Sequence, residues 1–150
     1  KDIKQLSKRV FIVHGHDDTA RGELALIISS LGLEPIILHE QANEGMTLIE
    51  KLEKHSDVGY TFVILTPDDV GSSADQQNSM QARARQNVVF EFGMFAGKLG
   101  RNRVCCLYKG DIELPSDLHG LVYIPFTDSV NEKQIDIVKE LKAAGYEINI

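Results

Sequence analysis

Short, almost continuous apolar runs alternate with amphipathic segments along this chain, and this alternation constrains the fold most strongly. The runs predicted as strands cover residues 9–14, 34–39, 60–66, 102–108 and 121–126. The segments predicted as helices cover residues 21–31, 47–55, 87–100 and 129–145. A capping-box pair, Ser129 and Glu132, opens the last of them, and Gly145 ends it. Strands that are buried on both faces have such apolar runs, and intervening helices cover those faces. The pattern therefore predicts a flavodoxin-like α/β fold whose parallel sheet has about five strands.

Length and composition fit one soluble globular domain. The chain has 150 residues, 43% of them hydrophobic, and a formal net charge of −6. This acidic balance argues against binding to nucleic acid or to anionic membranes. No apolar run is long enough to span a bilayer, and the first residues lack a signal-peptide pattern. We expect a single domain over 1–150, with a tail at 1–8. Because the chain starts with Lys rather than Met, we expect it to be part of a longer protein, with 146–150 as the start of a link to a further domain.

The two cysteines of the sequence, Cys105 and Cys106, are adjacent within a predicted strand. Neighbouring strand residues point to opposite faces, so a disulfide between these two would be strained. We expect both thiols to be reduced, which favours a cytoplasmic protein. Two thiols and five scattered histidines do not supply the ligand spacing typical of a metal site. We therefore expect no metal site.

The loop HGHDDTARG, which begins at His14, is a candidate ligand-binding loop. Open parallel sheets bind ligands at the carboxyl ends of their strands, where His14, Gly15 and His16 leave the first strand. Glycine allows the backbone to approach a ligand closely. Asp17 or Asp18 can cap the first helix, whose N-terminus attracts anions. The spacing matches neither a Rossmann fingerprint nor a P-loop. A purely structural interpretation, with capping aspartates and polar loop histidines, also stays open.

A long polar segment over residues 67–84 follows the third predicted strand, and a second turn-rich segment covers 109–120. Loops of this length in a compact domain are usually functional or disordered. The segment at 67–84 leads into the predicted helix at 87–100. This segment and the start of that helix therefore belong to the same edge of the sheet.

A single carboxylate, Glu91, lies in the apolar segment NVVFEFGMFAGKLG at 87–100. On a helix, its neighbours three and four positions away include no basic residue, and Lys98 is two turns away. A buried, unpaired carboxylate is costly, and such groups concentrate at functional sites. Two interpretations are open: a catalytic group, or a rim residue that reaches solvent or an arginine of the long loop. The position of the helix after the third strand favours a site.

Four motifs occur in order along the chain: VFIVHGHD at 10–17, ILHEQANEG at 37–45, RQNVVFEFGMFAGKLG at 85–100 and ELPSDLHGLVYIPF at 113–126. Together they resemble the bacterial TIR-like family of predicted nucleotide-binding proteins. Members of that family act as CBASS- and Pycsar-type effectors in anti-phage defence, with TIR-STING-like proteins among them. The resemblance implies a TIR fold and an NAD⁺ glycohydrolase that uses NAD⁺ as substrate and needs no cofactor.

The resemblance also implies roles for individual residues. Glu91 matches the catalytic glutamate of the family, on the helix after the third strand. Asn87 stands where enzymatic animal and plant TIR domains carry the tryptophan of a Trp-x-x-x-Glu pattern. The loop from His14 to Asp17, with Gly15 and His16, would lie against the substrate.

Further contacts are implied for the substrate and for other TIR domains. Glu40 and Gly45 belong to the loop that mediates TIR–TIR contacts in the family. Backbone amides near Gly15 and Gly45, with Arg85 or Arg83 as charge partners, would bind the diphosphate, although solvated loop cations fit these arginines equally well. The resemblance implies self-association and a fused or partner domain that senses a cyclic (di)nucleotide. Hydrolysis and cyclisation of the ADP-ribose product share their first step, so both stay open.

Three alternative functions fit part of the pattern. A nucleoside deoxyribosyltransferase-like N-glycosidase has a related fold and a sugar-directed glutamate, but would prefer nucleosides. A non-catalytic TIR interaction module would depend on the loop at 39–45. A response-regulator receiver shares the topology, and its charged positions are matched by Asp17, Asp18, Asp68 and Lys109. However, Asp68 follows Pro67 in a loop instead of ending the strand.

Overall fold

The computed structural model describes residues 6–37, 50, 53–54, 58–71, 74, 81–84, 93–94, 98–112, 114 and 121–149. Within these ranges the strands are β1 (Arg9–Val13), β2 (Glu34–Ile37), β3 (Tyr60–Leu65), β4 (Asp69–Gly71), β5 (Gln81–Arg83), β6 (Val104–Lys109) and β7 (Val122–Phe126). All five strands predicted from the apolar runs are present, with small shifts at their ends.

Five of these strands form one parallel sheet in the order β2-β1-β3-β6-β7. The chain leaves β1 towards β2 at one side and then returns to β3 at the other side. This reversal places the switch point of the strand order between β1 and β3, which are hydrogen-bonded neighbours. The flavodoxin-like α/β prediction is confirmed.

In the part of the chain that the structure describes, two α-helices cover one face of this sheet: α1 (Asp18–Ser30) and α2 (Gln134–Ala144). Helix α1 begins before the predicted start at 21, because the Asp17 side chain caps it. The predicted Ser129–Glu132 capping box is present, but it opens a 3-10 turn (Val130–Lys133) that leads into α2. No helix in the described ranges is long and apolar enough to cross a membrane.

The predicted helices at 47–55 and 87–100 are described only in part. Residues 50 and 53–54 are helical, as are 93–94 and 98–99. Met94 and Leu99 pack against the face of the sheet opposite α1 and α2. These contacts place the second helical segment on that opposite face, as expected for a sheet covered on both sides.

The sheet separates two apolar clusters whose members alternate along each strand. The first contains Ile12, Phe62, Cys105 and the inner faces of α1 and α2, and the second contains Phe11, Val63 and Cys106. Both cysteines are free thiols, as expected, and burial raises the pKa of each well above the ordinary thiol range. Tyr146 and Ile148, which follow α2, are also buried in the first cluster.

The segment predicted as the long loop at 67–84 contains a short antiparallel pair, β4 with β5. Each strand has three residues, DVG and QAR, so neither has the alternating apolar pattern that identifies a strand in sequence. This pair was missed for that reason.

Candidate functional site

Two of the described loops meet at the carboxyl edge of the sheet, at the switch point. Residues His14–Asp17 follow β1, and Thr66–Asp68 follow β3. Because β1 and β3 are adjacent parallel strands, their carboxyl ends bring these loops side by side. Lys109 is the last residue of β6, which pairs with the other side of β3.

His14 is buried where β1 ends, and its Nδ1 lies 2.8 Å from the backbone oxygen of Gly15. A carbonyl oxygen only accepts hydrogen bonds, so Nδ1 carries the proton in this contact. A neutral His14 ring therefore has an unprotonated Nε2, which is an acceptor. The hydrogen bond fixes the orientation of the ring against its own loop.

Asp68 is the central contact between the two loops. Its Oδ1 accepts a hydrogen bond from Thr66 Oγ1 at 2.8 Å and one from the His16 amide at 3.3 Å. Its Oδ2 is buried and has no hydrogen-bond partner within the described residues. A Cβ at position 15 would collide with the Asp68 carboxyl group. The loop can pack against this carboxyl because Gly15 has no Cβ.

Asp17 connects the same loop to α1 and to β6. Its Oδ1 accepts a hydrogen bond from the Ala20 amide at 3.0 Å, which makes it the N-cap of α1. Its Oδ2 lies 3.6 Å from Lys109 Nζ. The capping role considered for Asp17 is therefore confirmed, whereas Asp18 is the exposed first residue of the helix.

Three backbone amides, one in this loop and two in the first turn of α1, donate within the protein. The His16 amide binds Asp68, the Asp18 amide binds the His16 carbonyl at 3.0 Å, and the Ala20 amide binds Asp17. With two carboxylates beside them, these donors form a poor anion site. Diphosphate binding at Gly15 stays a prediction.

Five predicted site residues lie outside the described part of the chain: Glu91, Asn87, Arg85, Glu40 and Gly45. The backbone of Arg83 belongs to β5. The catalytic and diphosphate roles predicted for these residues stay predictions.

The structure brings three residues to this site that were not predicted as part of it: Thr66, Asp68 and Lys109. From the sequence, Asp68 and Lys109 were considered as charged positions of a receiver, not as part of this site. One feature of the sequence could have identified Thr66 and Asp68: polar residues come directly after two central strands. Parallel strands place such residues at the same edge of the sheet.

Comparisons with known proteins support the resemblance. A family model described as CAP12/Pycsar effector protein, TIR domain, matches residues 9–128. The chain is 48% identical over 144 residues to the uncharacterized protein YuaY of Escherichia coli K12, covering 95% of this chain and 48% of YuaY. It is 42% identical over 139 residues to protein tirC of Dictyostelium discoideum, covering 86% of this chain and 69% of tirC.

The Pycsar effector protein PaPycTIR of Pseudomonas aeruginosa is 38% identical over 90 residues, covering 58% of this chain and 28% of PaPycTIR. The chain thus spans about half the length of YuaY and a smaller share of PaPycTIR. The family model covers the whole parallel sheet and the loops at its carboxyl edge. The chain belongs to the TIR domain family of CAP12 and Pycsar effector proteins, a bacterial anti-phage family.

Proposed function

We propose that this domain is the NAD⁺ glycohydrolase part of a TIR effector that a cyclic nucleotide activates in anti-phage defence. One observation carries the proposal: Asp68, which follows β3, and Lys109, the last residue of β6, both contact the loop His14–Asp17 at the switch point where open α/β sheets bind ligands. Membership of the CAP12 and Pycsar TIR family supports the same assignment.

Glu91 is the proposed catalytic residue. Cleavage of the nicotinamide–ribose bond passes through an oxocarbenium-like state, as in glycoside hydrolysis. The nicotinamide ring is positively charged in NAD⁺ and becomes neutral when its bond to ribose breaks. No general acid therefore has to protonate this leaving group. One carboxylate then suffices: Glu91 accepts hydrogen bonds from the ribose hydroxyls and stabilises the developing positive charge. Attack by water gives ADP-ribose, and attack by a group of the substrate itself gives a cyclic isomer.

The loop from His14 to Asp17 is proposed to face the ribose end of the substrate. Asp17 and Asp68 bring two carboxylates to this loop, whose charge Lys109 beside Asp17 offsets only in part, and the amides of His16 and Ala20 already donate to those carboxylates. Such surroundings favour a developing cation over a diphosphate. The diphosphate is therefore assigned to the predicted cations, Arg85 first.

Self-association is part of the proposal. The predicted contact loop with Glu40 and Gly45 would join neighbouring TIR domains, and a domain outside this chain would sense the cyclic nucleotide. The relatives CD-NTase-associated protein 12 and PaPycTIR carry names from cyclic-nucleotide defence systems, and each is much longer than its match to this chain. Activity would then increase when TIR domains are brought together.

A substrate panel tests this function. The domain, brought together through a fused oligomerisation module, is incubated with NAD⁺ and separately with deoxyribonucleosides, and released base is quantified by chromatography. Nicotinamide release from NAD⁺ alone is the expected result. Release of bases from deoxyribonucleosides, with NAD⁺ intact, would instead identify an N-glycosidase of the deoxyribosyltransferase type. No turnover of either substrate by the assembled protein would favour a non-catalytic interaction module.

A further inference from the structure

We propose that Asp68 is a positioning residue whose carboxylate holds the loop from Gly15 to Asp17 in the conformation that receives the substrate. The proposal rests on the NAD⁺ glycohydrolase function proposed for this domain. Oδ1 of Asp68 accepts hydrogen bonds from the buried Thr66 hydroxyl, at 2.8 Å, and from the exposed His16 amide, at 3.3 Å. The carboxylate therefore joins the end of β3 to the part of the loop that lies between the end of β1 and the Asp17 cap.

Gly15 shows that the loop is shaped around this carboxylate. Glycine is often required where φ is positive, but Gly15 is not among the positive-φ glycines of the described chain. Instead, the space that a Cβ would fill at this position is taken by Asp68 Oδ2 and Cγ. Position 15 therefore requires glycine for a steric reason: any side chain there would occupy the space of the Asp68 carboxyl group.

The second end of the loop is anchored independently. Asp17 is held by the Ala20 amide and lies beside Lys109. Asp68 thus controls the part of the loop between the end of β1 and the start of α1, where His14 and His16 are predicted to contact substrate. One oxygen of Asp68 is engaged by two donors and the other is enclosed, so this carboxylate is placed to hold the loop and not to reach a reacting atom.

Asp68→Asn and Asp68→Ala separate positioning from catalysis. The asparagine side chain keeps an oxygen that accepts from Thr66 and His16, so kcat/KM for NAD⁺ should stay within about threefold of the parent. Alanine removes both hydrogen bonds, and kcat/KM should fall about tenfold or more, mainly through KM. Glu34→Gln, an exposed change at the amino end of the sheet, is the control for loss of a carboxylate. Thermal unfolding of each variant shows whether a loss of kcat/KM comes from a destabilised fold.

Gly15→Ala tests the contact itself. The added methyl group displaces the carboxyl, so Gly15→Ala alone should lower kcat/KM about as much as Asp68→Ala. In the double variant the methyl no longer meets a carboxyl, and the second change should add little. Three results would overturn the proposal: Asp68→Asn as inactive as Glu91→Gln, Asp68→Ala as active as the parent, or losses that multiply in the double variant.

A readout that needs no turnover keeps this proposal separate from the function on which it rests. The amide proton resonance of His16 reports its hydrogen bond to Asp68 in the folded domain. It should move upfield in Asp68→Ala and stay close to its parent position in Asp68→Asn. If the parent cleaves no NAD⁺, the proposed function fails while this shift still reports the contact. An unchanged His16 resonance in Asp68→Ala would overturn the role of Asp68 whatever the activity.

Discussion

Asp17 illustrates how one side chain serves two elements at the edge of the sheet. Its Oδ1 caps α1 through the Ala20 amide, and its Oδ2 lies 3.6 Å from Lys109 Nζ. Lys109 is 37% exposed, so this pair is screened by solvent and contributes little to stability. Of the two contacts, the cap is therefore the larger contribution.

Substitutions at Asp17 separate these two contacts. Asp17→Ala should lower the free energy of unfolding by about 1 kcal/mol, because the Ala20 amide loses its acceptor. Asp17→Ser keeps a capping oxygen but loses the charge, and should stay close to the parent in urea unfolding. If serine proves as destabilising as alanine, the contact with Lys109 would be the larger of the two.

Glu132 predicts a pH dependence. Hydrogen bonds from the amides of Asp128, Ser129 and Thr127, in that order of effect, lower the pKa of this exposed carboxyl. Because the folded-state pKa is the lower one, this stabilisation is fully present above the ordinary glutamate pKa and is lost as pH falls through the folded value. Glu132→Gln should thus be less stable than the parent at neutral pH, and the difference should shrink in acid.

Urea unfolding of the parent and Glu132→Gln between neutral pH and pH about 3 measures this difference. Glu34→Gln, which removes an exposed carboxyl at the other edge of the sheet, is the control for general charge effects. If the difference in free energy of unfolding between the parent and Glu132→Gln stays constant or grows in acid, the lowered pKa attributed to the three hydrogen bonds is contradicted.

At the scale of elements, two glycines should respond to alanine in opposite directions. Gly22 lies inside α1 with open space around it, so Gly22→Ala should stabilise the domain by about 0.5–1 kcal/mol. Gly145 ends α2 with φ at +115°, and a Cβ there would lie 3.3 Å from Leu6 Cδ1. Gly145→Ala should destabilise by about 1 kcal/mol. Thermal unfolding of both variants tests the pair, and a shift of the same sign in both would contradict it.

The elements also show which local signals are reliable. The capping box of Ser129 and Glu132 and the stop at Gly145 were predicted from residue types, because these signals act within a few residues. The β4–β5 pair was missed because its three-residue strands are polar and short. Its paired residues are ten to fourteen positions apart in sequence, a separation that no local pattern records.

At the scale of the whole molecule, the parallel sheet could be predicted because buried strands separated by helices leave few other arrangements. The contacts that build the candidate site could not be predicted in the same way. His16 and Asp68 are 52 residues apart in sequence, and their contact depends on β1 and β3 becoming neighbours. The edge was predictable from topology, but the individual partners at that edge were not.

Whether Glu91 carries NAD⁺ cleavage is tested most directly by nicotinamide release from the oligomerised domain, with Glu91→Gln beside the parent. Glu34→Gln is the matched control, and thermal unfolding shows that all three proteins are folded. We predict release by the parent and by Glu34→Gln, and a loss of at least about a hundredfold in Glu91→Gln. Equal release by the parent and Glu91→Gln would contradict the assigned role and point to another carboxylate, Glu40 first.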